Sequence, residues 1–164
     1  MVSRLLVYLD TSVASAYFDE RDQSRMLTTG EFWQRLEGYE VLISDLVIGE
    51  IRQIADENRR RTIEDLIRKF VLVVIDEETR ALANRYLQVG VFGSTSAADA
   101  LHVAAATVAG ADLIVSWNFQ HMVKVRTIPK SKCGQPQLGL SRNRYSLPSG
   151  IVGVEREEAY GILQ

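Results

Sequence analysis

Four residues that can bind a metal ion lie far apart in this sequence, each next to or within an apolar segment. Asp10 follows LLVYL, Glu50 lies in SDLVIGEI, Asp99 lies in SAADALHVAAA, and Asn118 follows DLIVSW. The segments before Asp10 and Asn118 are apolar enough to be strands of a parallel sheet covered on both faces. Because ligands bind at the carboxyl ends of such strands, the pattern predicts an acidic metal site.

The chemistry of this set of side chains indicates which ion it would hold. Positions 10, 50, 99 and 118 share no helical or strand repeat, so they could meet only through the tertiary fold. If the three carboxylates converged to about 5 Å, each ionised pair would repel by roughly 3 kcal/mol at an effective dielectric constant near 20. Protonation or separation would relieve this repulsion, whereas a hard divalent cation relieves it while the carboxylates stay charged. Three carboxylates with one amide therefore predict Mg²⁺ or Mn²⁺ and not zinc.

The elements that would position these residues alternate between strand-like and helix-like patterns, with no repeat and no Pro/Gly-rich linker. This alternation predicts one α/β domain over residues 1–164. Ser44 is expected to cap the helix that carries Glu50, a capping box at 96–99 to open the alanine-rich helix, and Gly110 to close it. Strands are predicted at 5–9, 40–43, 71–75 (buried), 113–117, 123–127 and 151–154, and helices at 11–18, 30–37, 44–54, 63–70, 77–87 and 96–110.

Composition is ordinary for a globular domain, with 46% hydrophobic and 24% charged residues in a chain of 164. The one cysteine, Cys133, cannot form an internal disulfide, and Asp10 interrupts the first apolar run before it could serve as a signal peptide or membrane span. We therefore expect a cytoplasmic protein that does not enter the membrane. The net charge of −2 argues against a globally basic nucleic-acid binder.

Charge is nevertheless unevenly distributed, because no Asp or Glu occurs from Leu113 to Val154. This stretch includes a loop-rich basic segment, residues 121–150, near rings that could stack on bases. The candidate substrate-binding residues within it are Lys124, Arg126, Arg142 and Arg144. The alternative interpretation is a solvated loop face.

Taken together, the motifs VYLDTS, SDLVIGEI, AADALHVAAA and DLIVSWNFQHM resemble, in order, the four motifs of the PIN-domain nucleases, and among them the VapC-like toxin ribonucleases. The resemblance extends to about Val154. It implies a three-layer sandwich, in which helices flank a central, mostly parallel twisted sheet. It also implies that Asp10, Glu50 and Asp99 bind the metal, that Ser12 supports the first Asp, and that Asn118 stands where many members have a fourth Asp.

The activity implied by this resemblance is Mg²⁺- or Mn²⁺-dependent endoribonuclease cleavage that leaves a 5′-phosphate and a 3′-hydroxyl. The protein would be the toxin of a type II toxin–antitoxin pair, with RNA, a cognate antitoxin and a second copy of itself as partners. Since Asn118 brings no charge, one ion would be bound well and a second less tightly. Glu50 would act as a ligand or as a base through a water. His102, on the same helix face as Asp99, is close enough to hydrogen-bond near the site, but the preferred interpretation is a structural histidine.

Other interpretations of the same residues differ in what they require. Asp10 could be a helix N-cap, Glu50 a surface residue, Asp99 a capping-box member and Asn118 a turn residue. Two other classes fit poorly, because an aspartyl-phosphate phosphatase needs a second Asp where Ser12 stands, and a dinucleotide-binding protein needs glycines that DTSVAS lacks. The serious alternative is a PIN-fold scaffold with weak or no nuclease activity that acts by binding a partner protein.

Overall fold

A computed structural model describes residues 4–89 and 97–118 and the backbone of one further strand, residues 152–155. Alternating strands and helices form a single sheet with helices packed on it. The strands are β1 (Leu6–Leu9), β2 (Glu40–Ser44), β3 (Val71–Val73), β4 (Leu113–Ser116) and β5 (Val152–Glu155). The helices are α1 (Thr11–Ala16), α2 (Gln23–Arg35), α3 (Asp45–Arg52), α4 (Glu57–Ile67), α5 (Glu77–Val89) and α6 (Ala97–Val108), with a short 3-10 helix at Leu36–Gly38.

The sheet has the strand order β3-β2-β1-β4-β5, so β1 is its central strand. β1 pairs in parallel with both β2 and β4, β3 is parallel to β2, and β5 is antiparallel to β4. The carboxyl ends of β1, β2 and β4 therefore lie side by side at one edge of the sheet. The residues that follow these three strands are brought together there, as parallel pairing predicts.

Alternation along the strands sends successive side chains to opposite faces of the sheet. Val7 and Leu9 of β1 pack with the apolar residues of α1 to α4, whereas Tyr8 between them packs with α5 and α6. Two separate hydrophobic cores result, one on each face. The predicted three-layer α/β architecture with a mostly parallel sheet is confirmed.

Helix boundaries show where local sequence signals were sufficient and where they were not. Gly110 adopts a positive φ of 71° just after α6, so its prediction as the residue that closes this helix is confirmed. By contrast, α2 begins at Gln23, seven positions before the predicted start, because the side chain of Asp22 caps it by accepting a hydrogen bond from the backbone N of Arg25 at 3.0 Å.

Two further predictions fare differently. Ser44 is the N-cap residue of α3, as predicted, but its side chain makes no capping hydrogen bond, and its hydroxyl lies 2.7 Å from that of Tyr8 instead. The segment predicted as a buried strand forms β3 at the edge of the sheet, where Val71 and Leu72 are 49% and 52% exposed. A β-branched apolar run is typical of central and edge strands alike, so composition could not tell them apart.

Some predictions fall outside the described residues, namely Ser96 of the capping box, the strand at 123–127 and the basic segment 121–150. The predicted strand at 151–154 corresponds to β5, one residue further along the chain. Across the described part of the chain, none of the helices has the length and apolar character needed to cross a membrane.

Candidate functional site

Asp10 occupies the carboxyl end of the central strand and is 2% exposed. Its carboxylate accepts hydrogen bonds from the backbone N–H of Ser12 and from the hydroxyl of Ser116 at the end of β4. The bond from Ser12 makes Asp10 the N-cap of α1, so its interpretation as a helix N-cap is confirmed. A nearly buried carboxylate held by donors from α1 and β4 is also fixed in direction, which a metal ligand requires.

A small network of hydroxyl groups supports this arrangement from β4. The hydroxyl of Ser12 accepts a hydrogen bond from the backbone N–H of Trp117 at 2.9 Å and lies 3.3 Å from the hydroxyl of Ser116. The hydroxyl of Ser116 in turn accepts from the backbone N–H of Asn118 at 2.9 Å. Ser12 thus reaches Asp10 through its backbone and reaches Ser116 through its side chain.

Glu50 lies on α3, and its side chain is about one-third exposed, at 30%. Its Oε2 atom accepts hydrogen bonds from the hydroxyl of Thr11 and from Nε2 of His102, the latter at 3.1 Å. Burial alone would raise the pKa of Glu50, but the hydrogen bonds from His102 and Thr11 outweigh it and hold the pKa below its ordinary value. Glu50 is therefore a carboxylate at neutral pH.

The tyrosine at position 8 connects Glu50 to the interior of the protein through His102. Its hydroxyl lies 2.9 Å from Nδ1 of His102 and 2.7 Å from the hydroxyl of Ser44. Burial raises the pKa of Tyr8, and the negative charges of Asp10 and Glu50 raise it further. Asp10 and Glu50 lie in one region of the molecule, because Thr11, the residue next to Asp10, donates a hydrogen bond to Glu50.

Asp99 and Asn118 complete the sequence-predicted set, with different surroundings. Asp99 lies in the first turn of α6 and is partly buried, one turn before His102. Because residues three apart share a helix face, the contact of His102 with Glu50 brings this face of α6 to the same edge of the sheet. Asn118, two residues after the end of β4, is exposed.

The acids are neighbours but do not form a closed ligand cage. Within residues 4–89 and 97–118, no three side chains of the Asp, Glu, His or Cys type are close enough to hold one ion. The carboxylates of Asp10 and Glu50 each accept hydrogen bonds from their own donors. The structure thus gathers the predicted acids at one edge without closing three of them around one point.

Residues 7–120 match the sequence model of a known protein family, the PIN domain. The matched region runs from β1 to just beyond β4. The chain belongs to the PIN domain family. The matched region contains Asp10, Glu50, Asp99 and Asn118.

Solved structures with the same PIN fold share little sequence with the chain. VapBC2 of Rickettsia felis, bound to a DNA fragment from its promoter, is 14% identical, with a TM-score of 0.54 over 73% of this chain and 94% of that one. VapC20 of Mycobacterium tuberculosis, a toxin that cleaves the sarcin–ricin loop, is 20% identical, with a TM-score of 0.50 over 65% and 85% of the two chains. No curated protein matches the sequence.

The donor atoms at this edge of the PIN fold suit a hard divalent cation. They are carboxylate oxygens with one amide oxygen nearby, and no cysteine occurs among the described residues. The bonds to Glu50 both go to Oε2, so neither engages Oε1. Outer hydrogen bonds of this kind orient the ligands of metal sites, and here they are in place for Asp10 and Glu50.

Sequence reasoning overlooked three residues of this site, Thr11, Ser116 and Tyr8, and interpreted His102 as structural. Ser116 and Tyr8 are polar side chains within apolar strands, at 0% exposure each. A buried polar group needs a hydrogen-bond partner, so their positions were a usable signal. The identity of the partner, however, depends on which strands are neighbours in the sheet.

Proposed function

We propose that this protein is a metal-dependent endoribonuclease that hydrolyses RNA phosphodiester bonds, and that it is the toxin of a type II toxin–antitoxin pair. The observation that carries the proposal is the meeting of Asp10 and Glu50, from different elements, at the carboxyl edge of a PIN-domain sheet, next to the helix face of Asp99. The nearly buried carboxylate of Asp10 and the partly exposed carboxylate of Glu50 concentrate negative charge there, which a bound cation would neutralise.

In this proposal Asp10, Glu50 and Asp99 hold Mg²⁺ or Mn²⁺, with Asn118 contributing its amide oxygen. The bound cation supplies polarisation of the scissile phosphate and activation of water. Ser116 and the backbone N–H of Ser12 keep the carboxylate of Asp10 in place. Because Asn118 is uncharged, one ion is bound well and a second is recruited with the substrate.

The role of Glu50 can be narrowed from its environment. A general base works best when its pKa lies near the operating pH, and such bases are typically raised in pKa by their surroundings. The hydrogen bonds from His102 and Thr11 do the opposite and lower the pKa of Glu50. Glu50 is therefore charged before an ion binds, which suits a metal ligand.

RNA and protein partners belong to the same proposal. The basic segment 121–150, with Lys124, Arg126, Arg142 and Arg144, would contact RNA phosphates. A cognate antitoxin would cover the acidic edge in the resting state, and two copies of the chain would associate. These partners rest on the resemblance to VapC-like toxins, to which the R. felis and M. tuberculosis proteins belong by name.

The proposal is tested by incubating the protein with a pool of structured and single-stranded RNAs in Mg²⁺ or Mn²⁺. Cleavage that leaves 5′-phosphates, and that disappears with EDTA and in Asp10→Asn, is the expected result. Asp65→Asn, which alters an exposed acid paired with Arg68, is the matched control and should cleave normally.

Absence of cleavage by the folded, metal-loaded protein across this pool would favour the alternative, a PIN-fold scaffold that acts through a partner protein. Asn118 supports this alternative, because an amide in place of a carboxylate leaves the site with less negative charge. In the scaffold, Asp10→Asn would leave partner binding unchanged.

A further inference from the structure

A continuous chain of five hydrogen-bonded side chains runs from the sheet to Glu50. The hydroxyl of Ser44 lies 2.7 Å from that of Tyr8, which lies 2.9 Å from Nδ1 of His102. Nε2 of His102 lies 3.1 Å from Oε2 of Glu50, and the hydroxyl of Thr11 donates to the same oxygen. This chain of hydrogen bonds thus connects β2, β1, α6, α3 and α1, and it links the interior to the candidate site.

The direction of these hydrogen bonds follows from the groups involved. The carboxylate of Glu50 can only accept, so Nε2 of His102 must carry the hydrogen. In a neutral imidazole the other nitrogen, Nδ1, is then an acceptor, and the hydroxyl of Tyr8 is its donor. The oxygen of Tyr8 remains free to accept from the hydroxyl of Ser44. Of the two neutral tautomers of His102, only this one gives each of these hydrogen bonds both a donor and an acceptor.

Burial prevents water from replacing these partners. Tyr8 and Ser44 are 0% exposed and His102 is 3% exposed, whereas the side chain of Glu50 reaches the surface. A buried tyrosine could be satisfied by any acceptor, but here the acceptor is the ring nitrogen opposite the one that contacts Glu50. The carboxylate of Glu50 thus sets the tautomer of His102, and the hydrogen bond from Tyr8 to Nδ1 holds the other side of the ring and fixes its orientation.

We infer that Tyr8 and His102 are positioning residues, through which the protein interior holds the carboxylate of Glu50 in the orientation the site uses. Tyr8 fixes His102 with its Nε2–H toward Glu50, and His102 and Thr11 together hold Oε2, which directs the rest of the carboxylate away from the core. The catalytic consequence of this inference rests on the proposed nuclease function. The predicted tautomer of His102 does not depend on that function.

The first test is Tyr8→Phe, which removes one oxygen atom and preserves the ring. Tyr86→Phe is the matched control, because Tyr86 is equally buried and its hydroxyl contacts Thr107 on the same helix, α6, at 3.4 Å. The tautomer of His102 is read from its ¹⁵N resonances at pH 8. The chain has two histidines, so His121→Gln identifies which resonances belong to His102.

We expect the Nε2–H tautomer in the unmodified protein, in Tyr86→Phe and in Tyr8→Phe, because Glu50 accepts from Nε2 in all three. In Tyr8→Phe alone, we expect the Nδ1 resonance to shift, because that nitrogen has lost its donor. We also expect kcat for RNA cleavage to fall about tenfold in Tyr8→Phe with little change in KM, as for outer partners of metal ligands in general. An Nδ1–H tautomer in the unmodified protein would overturn the inference. So would an unchanged Nδ1 resonance and an unchanged kcat in Tyr8→Phe.

The second test separates positioning from packing and does not depend on how well Tyr8→Phe folds. In His102→Gln the side-chain amide can donate from the place of Nε2, whereas in His102→Asn it reaches only the place of Nδ1. His102→Gln should retain about tenfold more activity than His102→Asn. Equal activities, or the reverse order, would contradict a positioning role.

Failure of this inference can be told apart from failure of the proposed function. If the unmodified protein cleaves no RNA, the proposed function fails, while the Nδ1 resonances of the unmodified protein and of Tyr8→Phe still decide whether Tyr8 positions His102. If the unmodified protein cleaves RNA and neither pair of variants behaves as described, the function stands and the positioning role is excluded.

Discussion

At the scale of single residues, the orientation of Asp10 depends on a hydroxyl group from another strand. Ser116 donates a hydrogen bond to Asp10, although the two residues are 106 positions apart in sequence. If this bond orients a metal ligand, Ser116→Ala should weaken Mn²⁺ binding by roughly 10- to 100-fold. Calorimetric titration measures this, with Ser15→Ala on α1 as the control, and equal affinities in both variants would exclude the role.

The acidic residues of the site could be proposed from sequence, because Asp10, Glu50 and Asp99 each lie in a motif whose apolar surroundings make a charge conspicuous. Their supporting residues could not. The contacts of Ser116 and Tyr8 arise from strand order and from which face of β1 each residue occupies. Neither is encoded within a window of neighbouring residues, so local patterns do not identify them.

At the scale of elements, the sheet edge and the sheet centre should respond differently to the loss of a leucine. Leu42 on β2 is 4% exposed and Leu72 on β3 is 52% exposed. Leu42→Ala should lower the free energy of unfolding by about 2–5 kcal/mol, and Leu72→Ala by no more than about 1 kcal/mol. Urea unfolding with unchanged m values provides the comparison. An equal loss for Leu72→Ala would mean that another surface covers this edge.

The hydrogen bonds at the start of α5 should make the stability of the protein depend on pH. The backbone N–H and the hydroxyl of Thr79 both donate to Asp76 at 2.8 Å, and these hydrogen bonds lower the pKa of Asp76 below 3.8. A lowered pKa in the folded state means that the stabilisation is present above the unfolded value, near pH 4, and is lost as the pH falls through the folded value. Asp76→Ala should therefore lower Tm at pH 7, and this difference should shrink below pH 4. A difference that is constant from pH 7 to pH 3 would exclude the cap.

Whether a segment forms a strand or a helix was easier to predict from the sequence than how deeply that segment is buried. The apolar runs at 6–9 and 113–116 and the closing Gly110 carry local signals that dictate a strand or a helix end. The exposure of β3 carries no such signal, because Val71 and Leu72 suit either position in a sheet. What differs is the number of neighbouring strands, which only the whole fold determines.

At the scale of the whole molecule, RNA binding has to overcome a net charge of −2. If the basic segment 121–150 contacts phosphates, replacing Lys124, Arg126, Arg142 and Arg144 together by Ala should weaken RNA binding. It should also reduce the dependence of log K on log salt by about 0.7 for each phosphate that is no longer neutralised, the value for single strands. Filter binding at several salt concentrations measures both. Unchanged affinity and slope would return the segment to the role of a solvated loop.

The proposed activity depends on three carboxylates, from the end of β1, from α3 and from α6, acting on one divalent cation. The most direct measurement is Mn²⁺ binding by calorimetry at pH 7 to the unmodified protein and to Asp10→Asn, Glu50→Gln and Asp99→Asn. We expect each substitution to weaken binding at least about tenfold, as loss of a ligand or its orientation does in general, while the surface control Asp65→Asn binds normally. Binding that is unchanged in all three variants, or equally weakened in the control, would contradict a shared metal site.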